Sequence, residues 1–300
     1  MSFKISVISI FLCFFTVPVL GIQDSVFSQE SGQQIQDFSL AGYGEKGKKS
    51  WDLSGKTADI FTEIVKLNDV VGNLYGKEED VRLTAERGDF NKEDGCVHLE
   101  QNVIITTSSG VKLMTDALDW DRKNQLISTA NPVDIQRDNL RALASGARAE
   151  PNLKRIALEK DVRLDIDPVH QEKIEGSCDE EKVVITCDGP LEIDYEKNVA
   201  VFNNNVKVEK QEILIYSDRM DVFFSSGLAD NEKKEKTSMM AGNKIEKIVS
   251  TGHVKIVRGL NVSYSEEAIY TALDKKITLN GRPRLVIYSA EDFKNASPGN

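Results

Sequence analysis

Apolar residues recur along this chain as apolar–x–apolar triplets, and the triplets come in pairs set six residues apart. Val97/Leu99 precedes Val103/Ile105, Ile127 precedes Val133/Ile135, and Ile156/Leu158 precedes Val162/Leu164. Ala200/Phe202 then precedes Val206/Val208, Ile248 precedes Val254/Ile256, and Ile277/Leu279 precedes Pro283/Leu285. The residue inside a triplet is often polar: His98, Asp134, Arg163, Lys207, Lys255, Thr278. That alternation has a period of two, which marks a strand with one buried face. The second triplets begin 30 and then 29 residues apart (Val103, Val133, Val162), and 29 apart again at Val254 and Pro283, so the body of the chain is an internal repeat. Two longer intervals, 44 residues from Val162 to Val206 and 48 from Val206 to Val254, hold polar insertions around 167–181 and 225–243. The second insertion contains Glu232-Lys233-Lys234-Glu235-Lys236, a solvated loop.

Turn signals stand at Asp94-Gly95, Ser109-Gly110, Lys123-Asn124, Asp138-Asn139, Pro151-Asn152 and Lys197-Asn198. Between the turns lie small or polar corners at Asn102, Ala117, Asn131, Gly146, Asp161, Asn204, Gly252 and Gly281. One repeat is therefore a there-and-back pair of rungs, each bent once near its middle. An antiparallel meander of such rungs folds into two facing sheets with the alternate residues between them. Some fourteen rungs about 4.8 Å apart extend for about 65 Å. Periodicity leaves two arrangements open: walls that close on a dry sandwich core, and walls that splay along one side to leave an apolar groove.

Composition adds mainly exclusions. Of 300 residues 40% are apolar, enough for a core, so a mainly disordered chain is excluded. A formal charge of −10 argues against nucleic acid, which needs a basic stripe. Three His (His98, His170, His253), far apart in sequence, and four Cys give a shared metal site little to draw on, and no cofactor is called for. Asp119/Asp121 and Asp165/Asp167 put carboxylate pairs on one strand face, the geometry of a glycosidase-type acid pair. Such pairs also arise by chance where 48 acids populate alternating strands. Trp51 and Trp120 read as core or edge packers. At the N-terminus Lys4 precedes an apolar run from Ile5 to Leu20, with Pro18 near its end and Gly21 after it. It reads as an export signal, cleaved or kept as an anchor. A mature chain would keep Cys96, Cys178 and Cys187, an odd count that makes no disulfide framework. Cys178 and Cys187 are close enough in sequence to pair, and three free thiols fit equally well.

Two stretches carry a resemblance. The first is Ser50-Trp51-Asp52-Leu53-Ser54-Gly55-Lys56-Thr57-Ala58 with Ile64-Val65-Lys66-Leu67 and Val81-Arg82-Leu83-Thr84-Ala85-Glu86-Arg87-Gly88. The second is Asp188-Gly189-Pro190-Leu191-Glu192-Ile193-Asp194-Tyr195 with Val199-Ala200-Val201-Phe202-Asn203-Asn204-Asn205-Val206-Lys207-Val208, followed by Ile215-Tyr216-Ser217-Asp218-Arg219-Met220 and Ser250-Thr251-Gly252-His253-Val254-Lys255-Ile256. Together they resemble the OstA-like family of periplasmic lipopolysaccharide-transport proteins: the first its inner-membrane-tethered component, the second its soluble bridge. The chain departs from the family in carrying both kinds of segment.

The resemblance implies an all-β fold, a twisted antiparallel V-shaped β-jellyroll built from repeats of about 29 residues and open along one side. It divides the chain into a signal or anchor (1–21), a flexible tether (22–50), a first jellyroll segment (51–168) and a linker insertion (169–184). A second segment (185–290, with its loop at 225–243) and a tail (291–300) follow. It implies a non-catalytic periplasmic carrier that holds the acyl chains of lipopolysaccharide in the groove and bridges inner to outer membrane. The expected lining is Val97, Leu99, Val103, Ile105, Ile127, Val133, Ile135, Ile156, Leu158, Val162, Leu164, Phe202, Val206, Val208, Ile248, Val254, Ile256, Ile277, Leu279 and Leu285. Partners follow as other lipopolysaccharide-transport proteins joined by edge-strand β-augmentation, and head-to-tail self-association. Two alternatives stand beside it: a structural or adhesive β-repeat protein with a closed core, and a polysaccharide lyase or hydrolase on a β-scaffold.

Overall fold

The structure, a computed structural model, describes residues 33–44, 47–76, 79–167, 182–224, 245–274 and 276–288. The export signal, the insertions around 168–181 and 225–244, Cys178, His170 and the tail lie outside the described residues. What is described is an all-β meander. Its strands are β1 (Gln33–Tyr43), β2 (Lys49–Ile60), β3 (Ile64–Tyr75), β4 (Asp80–Asn91), β5 (Val97–Thr107), β6 (Lys112–Asp121), β7 (Leu126–Arg137), β8 (Leu140–Ala149) and β9 (Arg155–Ile166). The second half adds β10 (Val183–Cys187), β11 (Leu191–Asp194), β12 (Val199–Lys210), β13 (Ile213–Phe224), β14 (Ile245–Arg258), β15 (Asn261–Thr271), β16 (Lys276–Asn280) and β17 (Arg284–Val286).

Successive rungs pair antiparallel, for example Val103 with Thr115 and Thr115 with Val133. The seventeen strands make fifteen rungs, because β10 and β11 share one rung against β9 and β12, and β16 and β17 share another against β15. The pairing of β9 with β10 and β11 continues the ladder from the first segment into the second without a break.

The corners follow from backbone sterics. Asn102, Gly146, Asp161, Asn204, Gly252 and Gly281 all take positive φ, between 51° and 83°. Gly, Asn and Asp enter that region at least cost. Ala117 and Asn131 instead lie inside register shifts, between Thr115 and Asp119 and between Thr129 and Pro132. Each such irregularity is a bulge that bends its rung. At Gly189, the corner of the split rung, a Cβ would lie 2.2 Å from the Glu159 carbonyl oxygen, so only glycine fits there. Beside the corners, one ladder row alternates Val on one strand direction with a small residue on the other: Val103, Thr115, Val133 and Ala144, then Val206 and Ser217, then Val254 and Ser265. That alternation lets the two walls approach each other at the fold line.

One expectation is corrected. Residues 33–43, inside the stretch read as a flexible tether, form β1, paired with β2 from Gln33↔Ile60 to Tyr43↔Lys49. Its sequence hides it, because an edge strand buries little: Phe38 is its one buried residue, and Gln33, Gln34, Gln36 and Asp37 face solvent.

Candidate functional site

Splitting each rung at its corner gives two walls. One wall holds the first halves of β3, β5, β7 and β9, with Leu99 opposite Leu118 and Ile156 opposite Ala149. The other holds their second halves, with Ile105 opposite Leu113 and Ile135 opposite Ala142. Backbone passes from wall to wall only at the corners. Every described hairpin turn, such as 91–97, 121–126 or 137–140, returns the chain to the wall it came from. Among the described residues the side away from the corners, the mouth, is therefore spanned by side chains alone.

The space between the walls is apolar. Of the residues expected to line it, Leu99, Val103, Ile105, Ile127, Val133, Ile135, Ile156, Leu158, Val162, Phe202, Val206 and Val254 are buried. Val97, Leu164, Val208, Ile248, Ile256 and Leu279 are half-buried. Ile277 and Leu285, on the terminal rung, are 52% and 58% exposed. Register puts all twenty on the inward face. The sequence reading found only one strand direction. It missed the returning strands, whose inward residues include Leu83, Ala85, Leu113, Leu118, Ala142, Ala144, Ala147, Leu191 and Met220. Their Ala and Thr positions blur the apolar alternation, although Leu113-x-Thr115 and Ala142-x-Ala144 do keep its spacing.

Two arginine–aromatic contacts cross the mouth. The Arg122 guanidinium, from the β6–β7 turn, lies 5.7 Å from the ring centre of Trp51 on one wall and 5.9 Å from that of Trp120 on the other. At the seam between segments Arg137, 5% exposed at the end of β7, lies 5.8 Å from the ring centre of Tyr195, which follows β11 on the opposite wall. Burial pushes the Tyr195 hydroxyl's pKa up, and the charge and hydrogen bond of Arg137 pull it back. Beside Tyr195, whose N–H donates to the Lys154 carbonyl at 3.0 Å, the β8–β9 turn tucks in Leu153, 2% exposed.

His98, His253 and the two carboxylate pairs are committed to structure. His98 Nδ1 lies 2.6 Å from Asp119 Oδ1, and His253 Nδ1 lies 2.7 Å from Asp218 Oδ2 at a corner. Asp121 accepts the Asn124 backbone and side-chain N–H groups at 3.0 and 2.7 Å. Asp165 takes Arg163 at 2.9 Å and Lys182 at 3.3 Å, and Asp167 takes Lys182 at 3.4 Å. The two carboxylate pairs thus brace turns and strands. Among the described residues no group of three or more His, Cys, Asp or Glu could hold a metal ion, and Cys96 and Cys187 are free thiols.

Two family models match. Residues 7–167, more than half of the chain, match lipopolysaccharide-assembly, LptC-related. Residues 188–298 match LptA/(LptD N-terminal domain) LPS transport protein. The first range ends just after β9 and the second begins just after β10, so β10 lies between them. No curated protein matches the chain.

Proposed function

The chain belongs to the LptC-related lipopolysaccharide-assembly family, and from that premise we propose that it is a carrier that holds the acyl chains of lipopolysaccharide between its two walls. One observation carries the reading: an apolar interior runs from rung to rung, and among the described residues only side chains separate it from water along one whole side. Each buried methylene contributes about 0.8 kcal/mol, so several acyl chains favour such a trough strongly. The chain's net charge of −10 is no obstacle, since an anionic headgroup stays outside the walls. The carboxylates being spent on structural bonds favours a carrier over a catalyst.

The two terminal rungs supply the rest of the proposal. Among the described residues β1 and the β16/β17 rung each have one neighbour and present an open edge, with Ile35, Leu40, Ile277 and Leu285 exposed there. Open edges recruit strands, which favours stacking on other lipopolysaccharide-transport proteins, or head-to-tail on a second copy, as a periplasmic bridge between membranes. An N-terminal tether would set the β1 end at the inner membrane.

The test is photo-crosslinking to lipopolysaccharide from single inward positions, Ile135, Leu164, Val208 and Ile256, against the outward controls Asp134 and Lys207. Crosslinks confined to the inward set are expected. A folded protein with no inward crosslink would overturn the reading.

A further inference from the structure

The first segment holds a cation at its mouth that no other part of the structure uses. The Arg122 guanidinium carbon lies 5.7 and 5.9 Å from the ring centres of Trp51 and Trp120. Among the described residues its guanidinium has no hydrogen bond and no ion pair. Arg137, the other arginine at the mouth, is spent on Tyr195 and on Asp138 at 3.8 Å. The five N–H donors of Arg122 are therefore unspent among the described residues, in a fork that fits two oxygens of a phosphate or carboxylate.

The surroundings also point to a ligand. A surface pocket of about 400 Å³ opens beside Arg122, lined in part by Lys92, Lys123, Glu93, Asp94 and Phe90. Lys92 Nζ is held by the carbonyls of Phe61 and Thr62, and Asp94 accepts the Cys96 N–H at 2.8 Å, so both are tied into the local turns. Against Glu93 and Asp94, the cations Lys92, Lys123 and Arg122 leave the pocket lining one net positive charge. Phe90 pairs with inward-facing Val97, so the pocket and the apolar interior share a wall. Trp120 adds a second unspent donor, a buried indole N–H with no acceptor among the described residues. A buried donor left unpaired needs a reason.

We propose that Arg122, clamped between Trp51 and Trp120, is the headgroup-reading residue of the trough and binds the phosphate of a phosphorylated amphiphile whose chains lie between the walls. This rests on the carrier reading above and adds to it the residue that reads the headgroup and its place at the mouth. On an acidic chain, a single uncompensated guanidinium over an apolar mouth selects an amphiphile with an anionic head over one without.

Trp51 and Trp120 are the chain's two tryptophans, so its tryptophan emission reports on this site directly. The full chain is titrated with diphosphorylated lipid A, with the same lipid stripped of its phosphates, and with inorganic phosphate. Emission shifts with the phosphorylated lipid, which binds more tightly than the stripped one. Arg122→Gln removes most of that preference, a loss of about tenfold for a charged hydrogen-bonded contact, and changes binding of the stripped lipid by less than about twofold. Arg122→Lys, which keeps the charge and loses the fork, restores part of it. Equal weakening for both lipids, or an unchanged preference in Arg122→Gln, overturns the proposal and leaves Arg122 a packing group. If neither lipid binds, the carrier reading fails, and inorganic phosphate alone decides the site: an Arg122-dependent emission shift keeps it as a free-phosphate site, and no shift overturns it.

Discussion

The first segment, β2 to β9, and the second, β12 to β17, are built on one ladder but packed differently. In the first, corner-side inward positions of the returning strands are Ala85, Thr115 and Ala144, and the Thr115 hydroxyl donates to the Pro132 carbonyl at 2.9 Å. In the second, the equivalent row carries Ser217 and Ser265, whose buried hydroxyls have no partner among the described residues. Val103 and Ile105 are fully buried, whereas Ile256, the counterpart of Ile105 on β14, is only half-buried. Arginine–aromatic contacts cross the mouth of the first segment and the seam. Among the described residues none crosses the mouth beyond β12. The difference teaches that an identical backbone repeat sets the walls, and side chains at the rim and fold line decide how tightly they close.

The largest expected effect tests the packing difference. Leu99→Ala, at a 1% exposed site, should cost about 3 kcal/mol, and Ile256→Ala about half of that, in denaturant unfolding. Equal costs would erase the contrast. Next come the corners. Gly252 has φ +76°, and a Cβ there would lie 2.3 Å from Asp218 Oδ2, so Gly252→Ala should cost about 2 kcal/mol. Asn102, in the same backbone region at φ 53°, should accept Asn102→Gly within about 0.5 kcal/mol.

The third prediction is a pH effect in the first segment. Asp52 accepts hydrogen bonds from Lys49, from Asn73 at 2.6 Å and from Tyr75 at 2.7 Å, and these hold its pKa at about 2, below the usual 3.8. A depressed folded-state pKa stabilises the protein above the unfolded value, and that contribution is lost as pH falls through the folded one. Hydrogen exchange should therefore show β2 and β3 loosening between about pH 4 and pH 2. Asp52→Asn should flatten that response. The smallest effects have opposite signs: Thr115→Val should cost about 1 kcal/mol by losing a bond, while Ser217→Ala should be neutral or stabilising by up to about 1 kcal/mol by removing an orphan hydroxyl. Thermal melting of the two variants checks the pair.

What was legible in the sequence has a physical pattern. Corners could be read at Asn102, Asn204 and Gly252 because few residues tolerate left-handed backbone, whereas His253 and Gln101, also left-handed, gave no such sign. All six dipeptide turn signals fall between consecutive strands. The inward set could be read where strands carry Val, Ile and Leu, and was lost on β8, whose inward residues are alanines. β1 was lost because an edge strand that buries one side chain has no alternation to show. The Arg122 bridge was invisible for another reason. Trp51 and Trp120 were read as packers, and nothing local to either says that the walls bring both to one guanidinium.

The seam has a consequence of its own. Two proteins that meet edge to edge surrender translational and rotational freedom when they join, and dilution or a missing partner separates them. Here the ladder from β9 to β10 and β11 is made within one chain. The local concentration of one edge near the other is set by the intervening segment and not by expression level. A segment matching one assembly component is therefore joined to a segment matching another at a fixed one-to-one ratio, and no competitor in solution can come between them without first unzipping the sheet.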